Sequence, residues 1–431
     1  MSETSKQAVE RATAFEKTVL PNGLTVLVHP MPGFTGVYAL YGTKFGSIDR
    51  SFVLDGKRWD LPAGVAHFLE HKMFENEEGD AFTLYAKTGA NANAYTSFDK
   101  TCYLFSASSR TEENLDILLS FVSRPYFTEK TIAKEQGIIG QEIKMYDDSP
   151  DWRLMFSVYQ CLYGQHPVRE DIAGSVESIA EITPEMLYAC ADAFYRPQNM
   201  ALAVAGNVTM QQVLDAVERA AIPEKTGVVE RIPVCEPRQV AEKERSFSMP
   251  VSKPLLGVGF KEALPEPENQ LKLEFLCDIL TELICGSMTP LYRKLYDENL
   301  VSPGFSGEIL SVPGALCTVF GGETSRPEYV RELLLQEIRR LRSEGVDAEL
   351  FTLCKNQLYG ELIADLENID DVAAGLFSAF SRGRTPAEEI DTLAAITLED
   401  VNGALQNLLQ EEYSATVIIR PAGEKKGELA S

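Results

Sequence analysis

The sequence predicts an α+β protein of two similar halves, each a mostly antiparallel sheet covered by helices, and three observations carry that expectation. A chain of 431 residues exceeds what one hydrophobic core usually serves, so length favours several domains or one duplicated unit. Segments with strand alternation and segments with helical periodicity follow in similar order in the two halves. The stretch ITPEMLYACADAFYRPQNMALAVAGN from Ile182 aligns without gaps on ITLEDVNGALQNLLQEEYSATVIIRP from Ile396, an offset of 396 − 182 = 214 residues, close to half the chain.

The elements follow from local chemistry. Thr18 to Leu20, a Pro21-Asn22-Gly23 turn and the alternating run Leu24 to His29 read as a hairpin. A strand at Val37 to Gly42 and a loop near Ser51 to Trp59 precede a helix opening after Leu61-Pro62, where proline suits a first helical turn. Asp80 to Lys87 reads as a helix closed by Gly89, and Asn91 to Ser97 with Thr101 to Ala107 as paired strands. Helices then dominate: Thr111 caps one reaching Val122, Thr128 opens one reaching about Tyr146, and Trp152 to Leu162 and Pro184 to Tyr195 follow before a strand at Met200 to Ala205.

Between Ile222 and Pro254 the helical period fades among Pro223, Pro233, Pro237 and Pro250. The expected organisation is therefore a first domain at 1–225, a linker at 226–253 and a second domain at 254–431. The second half restarts with a strand at Leu255 to Phe260, helices from Asn269, strands around Phe305 to Phe320, more helices and a last strand at Tyr413 to Ile419.

Hydrophobic residues at 45% and charged residues at 24% are ordinary for a globular protein. With 40 Lys+Arg against 64 Asp+Glu, the formal charge of -24 repels phosphate backbones and anionic headgroups, so neither nucleic acid nor membrane is an expected partner. That charge serves either solubility or an acidic chamber that attracts basic peptides. The 8 cysteines lack C-x-x-C spacing and mostly have apolar neighbours, reading as small core residues in a reducing compartment. No signal-peptide stretch opens the sequence and no window is apolar enough to span a bilayer, so a cytoplasmic location is expected.

The chemistry concentrates in His67-Phe68-Leu69-Glu70-His71. On a helix, residues four apart share a face, so His67 and His71 can offer two imidazoles to one ion, with Glu70 on the same side. Hydrolysis at zinc needs three protein ligands, a water and a carboxylate to take the water's proton. The run supplies two ligands and the base. With 4 histidines and 64 acidic residues in the chain, a chance His-x-x-acid-His arises in roughly half a percent of such sequences, so coincidence competes poorly.

The third ligand lies elsewhere. His29 ends a strand before Pro30 and His166 sits in the loop Gly164-Gln165-His166-Pro167; both contexts suit structural or surface roles. Glu142 is the stronger candidate: it lies in the helix KEQGIIGQEIKMY between Ile139 and Ile143, where an unpaired carboxylate would be costly. Glu135, two turns earlier on the same stripe, either hydrogen-bonds a ligand histidine and fixes its tautomer or is a solvated helix residue.

These residues resemble the pitrilysin family of metallopeptidases, the inverzincins, whose zinc helix reads H-x-x-E-H. In that family a glutamate some seventy-odd residues beyond the second histidine completes the site, here Glu142 at 142 − 71 = 71, and another lies one heptad upstream, here Glu135. The resemblance implies a duplicated processing-peptidase-like unit of which only the first half carries the metal motif, and it is nearest to short bacterial members that pair with a second chain. It further implies that Asn93, Ala94, Tyr95 and Thr96, which match the family's N-A-x-T run, form an edge to which a peptide substrate adds as a strand.

One departure stands out. Where the family places an arginine and, seven residues on, a tyrosine that grip the substrate, Tyr296 occupies the arginine position, and Arg293 and Tyr292 are out of register. A homologous peptidase-like partner chain supplying Arg and Tyr is expected to complete the site, a homodimer being the nearest alternative.

The function expected from the resemblance is that of a zinc endopeptidase or oligopeptidase, with one zinc ion on His67, His71 and Glu142 and Glu70 as general base, acting as catalytic subunit of a paired complex. The alternative is a non-catalytic or regulatory peptidase-like protein, including one linked to elongation factor P modification.

Overall fold

The computed structural model describes residues 13–76 and 79–423. Its first half runs β1 (Glu16–Val19), β2 (Thr25–Pro30), β3 (Val37–Thr43), β4 (Ser51–Leu54), β5 (Lys57–Asp60), α1 (Val65–Met73), β6 (Glu75–Asn76), β7 (Gly79–Asp80), α2 (Ala81–Thr88), β8 (Asn91–Thr96) and β9 (Thr101–Ala107). Then come α3 (Thr111–Ser123), α4 (Glu129–Asp147), α5 (Pro150–Leu162), α6 (Val176–Ala180), α7 (Pro184–Phe194), β10 (Met200–Gly206), α8 (Met210–Ala220) and β11 (Val229–Arg231). The second half runs β12 (Glu244–Met249), β13 (Leu255–Lys261), α9 (Gln270–Cys285), α10 (Pro290–Asp297), β14 (Ser306–Val312), β15 (Ala315–Glu323), α11 (Pro327–Glu344), α12 (Ala348–Ala364), α13 (Ile369–Ser381), α14 (Pro386–Ala395), α15 (Leu398–Leu405) and β16 (Ser414–Pro421).

Two mixed sheets repeat one topology. The first has the order β1-β2-β10-β3-β9-β8 and the second β12-β16-β13-β15-β14. In each, the strand that closes the half enters between two earlier ones, parallel to one neighbour and antiparallel to the other: β10 between β2 and β3, β16 between β12 and β13. The repeat read from sequence coincides with these elements, since 398 − 184 = 214 separates the starts of α7 and α15 and 414 − 200 = 214 those of β10 and β16. Both helices open on a threonine N-cap: Thr183 accepts from the Met186 N–H and Thr397 from the Asp400 N–H.

Packing groups the chain into two compact units that are discontinuous in sequence. One comprises residues up to Ile143, Asp171–Pro233 and Glu361–Ile390; the other comprises Lys144–Glu170, Val234–Gly360 and Asp391 onward. The stretch 226–253, expected as a linker, carries β11 of the first unit and β12 of the second. Within the first unit α13 lies on β10, β3 and β2, and its Val372, Ala373, Leu376 and Phe377 close a core with Leu27, Leu40 and the alanines of β10. Gly42 makes the close approach possible, because a Cβ there would stand 2.4 Å from the Phe377 ring. Within the second unit α5 lies in the same way on β13 and β16.

Three expectations need correction. Ser51 to Trp59 is not a loop but most of the hairpin β4–β5, turning at Asp55 and Gly56, both with positive φ. Pro62 lies outside the helix it was expected to open, which starts at Val65. Helices α6 and α8 fall where the sequence pattern placed none. Of the cysteines, Cys235 is exposed and the rest are buried; all are free.

Candidate metal centre

Helix α1 begins after Gly64, whose φ of 89° lies in the left-handed region. An added Cβ would stand 2.4 Å from the Ala173 carbonyl oxygen, so only glycine lets the loop pass this close. Ser178 Oγ donates to the Ala63 carbonyl at 2.9 Å and pins the entrance further. Beyond it Val65, Ala66, Phe68, Leu69 and Met73 are buried and sink the helix, carrying His67, Glu70 and His71 in with them. One turn apart, the His67 and His71 rings stand with centroids 4.6 Å from each other.

Helix α4 brings the carboxylates. Ile132, Ile139, Gly140 and Ile143 bury one side of it, and Glu135 and Glu142, two turns apart, leave from a shared stripe. Glu142 Oε1 lies 3.6 Å from His67 Nε2, and its Oε2 lies 3.5 Å from His71 Nε2. Glu135 Oε1 accepts from the His71 Nδ1–H at 3.1 Å. One donor atom each from His67, His71 and Glu142 falls within 4.8 Å of the others, the one such group among the described residues.

Donors around a tetrahedral zinc at about 2.0–2.1 Å stand roughly 3.3 Å apart, so this set fits a zinc ion. The donor chemistry agrees. With its proton on Nδ1 facing Glu135, His71 turns the Nε2 lone pair toward the cluster. His67 Nδ1 is buried with no hydrogen-bond partner among the described residues, which leaves Nε2 as the ring's polar outlet.

Burial first, then repulsion by His71, lowers the His67 pKa to about 4, so its imidazole is neutral near pH 7 with a lone pair to offer. At His71 burial works downward, but the Glu135 hydrogen bond and the charges of Glu70 and Glu142 outweigh it and hold the ring above its ordinary value. At Glu135 burial works upward and is outweighed by the His71 hydrogen bond and nearby positive charge, so the carboxyl sits below its usual range. The surrounding carboxylates therefore favour a second proton, on His71 Nε2, over the ordinary case, and a cation binding at that nitrogen would have to displace it.

Glu70 is 7% exposed. Burial pushes its carboxyl pKa up against a hydrogen bond from Thr96, whose Oγ1 donates to Oε2 at 2.7 Å. It opens on a cleft of ≈ 630 Å³ that His71, Phe74, Phe82, Asn93 and Ile138 also line. Lys72, fully buried, pairs with Glu75, which lines the same cleft.

Asn93, Ala94, Tyr95 and Thr96 lie on β8, the edge strand beside β9. Asn93 and Ala94 line the cleft, and Asn93 Oδ1 accepts from the Ala94 N–H at 2.9 Å. Tyr95 is exposed, whereas Thr96 reaches Glu70. His29 is buried on β2 outside the donor group. His166 Nδ1 accepts from the Val168 N–H at 3.2 Å and its Nε2–H donates to the Pro313 carbonyl at 3.0 Å, a structural use of both nitrogens.

On α10, Tyr292 OH donates to the Pro303 carbonyl at 3.1 Å, Arg293 is strongly exposed and Tyr296 is half exposed. Sequence reasoning missed two ties: Thr96 to Glu70, and Lys72 to Glu75. The second had a signal, a lysine among the apolar Phe68, Leu69, Met73 and Phe74; the first had only the two-residue step from Ala94 along a strand.

Residues 54–176 match the family model described as Insulinase (Peptidase family M16), and residues 181–358 match the one described as Peptidase M16 inactive domain. The chain is 41% identical to an uncharacterized zinc protease of Bacillus subtilis (strain 168), YmfH, over 92% of this chain and 93% of the relative. A second zinc protease from that organism, YmxG, is 25% identical over 85% of this chain and 91% of its own. Among solved structures, an M16-like peptidase from Alicyclobacillus acidocaldarius superposes with a TM-score of 0.92 at 34% identity, covering 95% of this chain and 98% of that one. A protease from Helicobacter pylori shares the fold, with a TM-score of 0.82 at 19% identity over 95% and 100% of the two chains.

Proposed function

Because the chain belongs to peptidase family M16, we propose that it is a zinc-dependent endopeptidase or oligopeptidase, with one ion held by His67, His71 and Glu142. The convergence of those three donors within 4.8 Å, beside the buried Glu70, carries the reading. Zinc bound there would supply Lewis acidity, polarising a peptide carbonyl and acidifying a water.

The remaining work falls to the chain. Glu70 takes the water's proton and returns it to the leaving amine; burial raises its proton affinity toward what a general base needs. Glu135 keeps the His71 ring oriented and its proton on Nδ1. The outer edge of β8 has no strand partner among the described residues, so an extended peptide can pair along it with Asn93, Ala94 and Tyr95 alongside, once the Asn93 side chain gives up the Ala94 N–H. Backbone pairing of that kind holds peptides of varied sequence.

A homologous peptidase-like chain, or a second copy of this one, completes the substrate grip, since Tyr296 stands where the family has arginine. Full hydrolysis by a monomer in size-exclusion and activity measurements would remove the partner from the proposal. Among the described residues no helix is long and apolar enough to cross a membrane, and the reading places the chain in the cytoplasm.

The test of the activity is Glu70→Gln. It should keep zinc and fold while abolishing cleavage of a quenched fluorescent peptide, which in the wild type a chelator should also stop. Appreciable turnover by the variant would exclude Glu70 as the base.

A further inference from the structure

We propose that Thr96 is a positioning residue for Glu70 and not a contact for the peptide, an inference that rests on reading Glu70 as the general base. Along β8 the side chains alternate: Asn91, Asn93 and Tyr95 are exposed, while Ala92, Ala94 and Thr96 are half-buried and turn to the other face of the strand. Helix α1 packs on this strand. Thr96 is the last residue of β8, and its hydroxyl meets Glu70 Oε2 at 2.7 Å.

The Thr96 backbone is held in place. It pairs with Thr101, whose Oγ1 donates to the buried Phe45 carbonyl at 2.8 Å. The turn that follows is closed by the Ser97 N–H on the Lys100 carbonyl at 2.8 Å and tied by the Ser47 N–H on the Ser97 carbonyl at 3.1 Å. Glu70 itself sits on a helix whose start is fixed at Gly64. A short hydrogen bond between two fixed backbones selects one carboxylate orientation and occupies one oxygen, leaving the other to exchange a proton with water.

Three properties follow. The hydroxyl is needed while the methyl is not, so serine should serve where valine fails. The effect should fall on turnover rather than on peptide binding, because the Thr96 hydroxyl is taken up by Glu70 while Asn93 and Ala94 are the strand residues that line the cleft. It should also vanish when Glu70 is no longer a carboxylate.

The experiment uses the full chain, zinc-loaded, with its homologous partner if activity requires one, and a quenched fluorescent peptide as substrate. Thr96→Val is expected to lower kcat by roughly 10–100-fold, the usual consequence of losing such a supporting hydrogen bond, with KM and zinc content little changed. Thr96→Ser should recover most of the rate. Infrared difference spectra of zinc-loaded wild type and Thr96→Val should show a shifted carboxylate stretch that is absent from the same comparison in a Glu70→Gln background.

An unchanged kcat, or a raised KM at constant kcat, would overturn the proposal and return Thr96 to the substrate-binding strand. A wild type that cleaves no peptide overturns the peptidase reading instead. The infrared comparison still decides whether Thr96 holds Glu70, and no carboxylate shift there would overturn the proposal on its own.

Discussion

Replacing Glu135 by glutamine tests the logic of the centre most directly, because it keeps the shape of the side chain and removes its charge. In the structure the carboxylate accepts from His71 Nδ1 at 3.1 Å and helps hold that ring above its ordinary pKa. A hydrogen bond to a charged group contributes about 1.5–3 kcal/mol. At 1.4 kcal/mol per decade, losing most of it weakens zinc binding by roughly 10–100-fold, in line with the effect of removing a carboxylate behind a ligand imidazole. Competition against a chromophoric chelator, at a pH where the wild type is fully loaded, reads the change. Binding should remain stoichiometric, since His67, His71 and Glu142 are untouched, and the acid limb of the binding curve should move as well. The wild-type His71 must shed its proton to bind metal, so affinity falls as pH drops through its raised pKa, and the variant should hold its zinc to lower pH relative to its own plateau. An affinity within twofold of the wild type would refute the argument that Glu135 acts through His71.

Glu142→Ala should abolish tight zinc binding while leaving the circular dichroism spectrum intact; stoichiometric retention of zinc would exclude it as a ligand. Glu262, buried at 4% exposure with Oε2 unpartnered among the described residues, has its carboxyl pKa pushed by burial from the ordinary 4.5 to about 7. The folded protein therefore holds a proton that the unfolded chain sheds, so stability is full below the unfolded pKa and falls by about 3 kcal/mol as pH rises through the folded one. Glu262→Gln should be the more stable form at about pH 8 and gain little at about pH 5 in denaturant titrations, and equal midpoints at both pH values would contradict this. Phe377→Ala in α13 should cost about 3–5 kcal/mol by opening a cavity against the first sheet, measured by the same titrations; a loss below about 1 kcal/mol would mean that the helix is not part of that core.

Much of the centre was legible because its residues are chemically unusual for their surroundings. Two histidines and a glutamate among Val65, Phe68, Leu69 and Met73 cannot be buried together without a reason, and Glu142 between Ile139 and Ile143 raises the same question seven residues after Glu135. The 214-residue offset placed α15 and β16 because a threonine cap and a strand period survive where identities do not. The β4–β5 hairpin was missed although Asp55-Gly56 is a strong hairpin turn, since Lys57 and Arg58 hide the alternation of a strand that is largely exposed. The tie from Thr96 to Glu70 joins residues 26 apart on different elements, which no local pattern encodes. Nor does periodicity say which sheet an amphipathic helix covers: α5 and α13 each carry a buried stripe, and its destination is a matter of topology alone.

That destination has a consequence for how the protein is made. The sheet bearing β8 and β10 is finished at Gly206, yet the helix that roofs it, α13, ends at Ser381, 381 − 233 = 148 residues after the earlier part of its unit is complete at Pro233. At roughly 5–20 residues per second of translation, the apolar face of Leu27, Leu40 and the β10 alanines waits on the order of ten to thirty seconds for its cover. During that interval the nascent chain offers a sticky, half-built layer to whatever it meets, and chaperone depletion should trap it there before the metal ligands are ever assembled in a finished core.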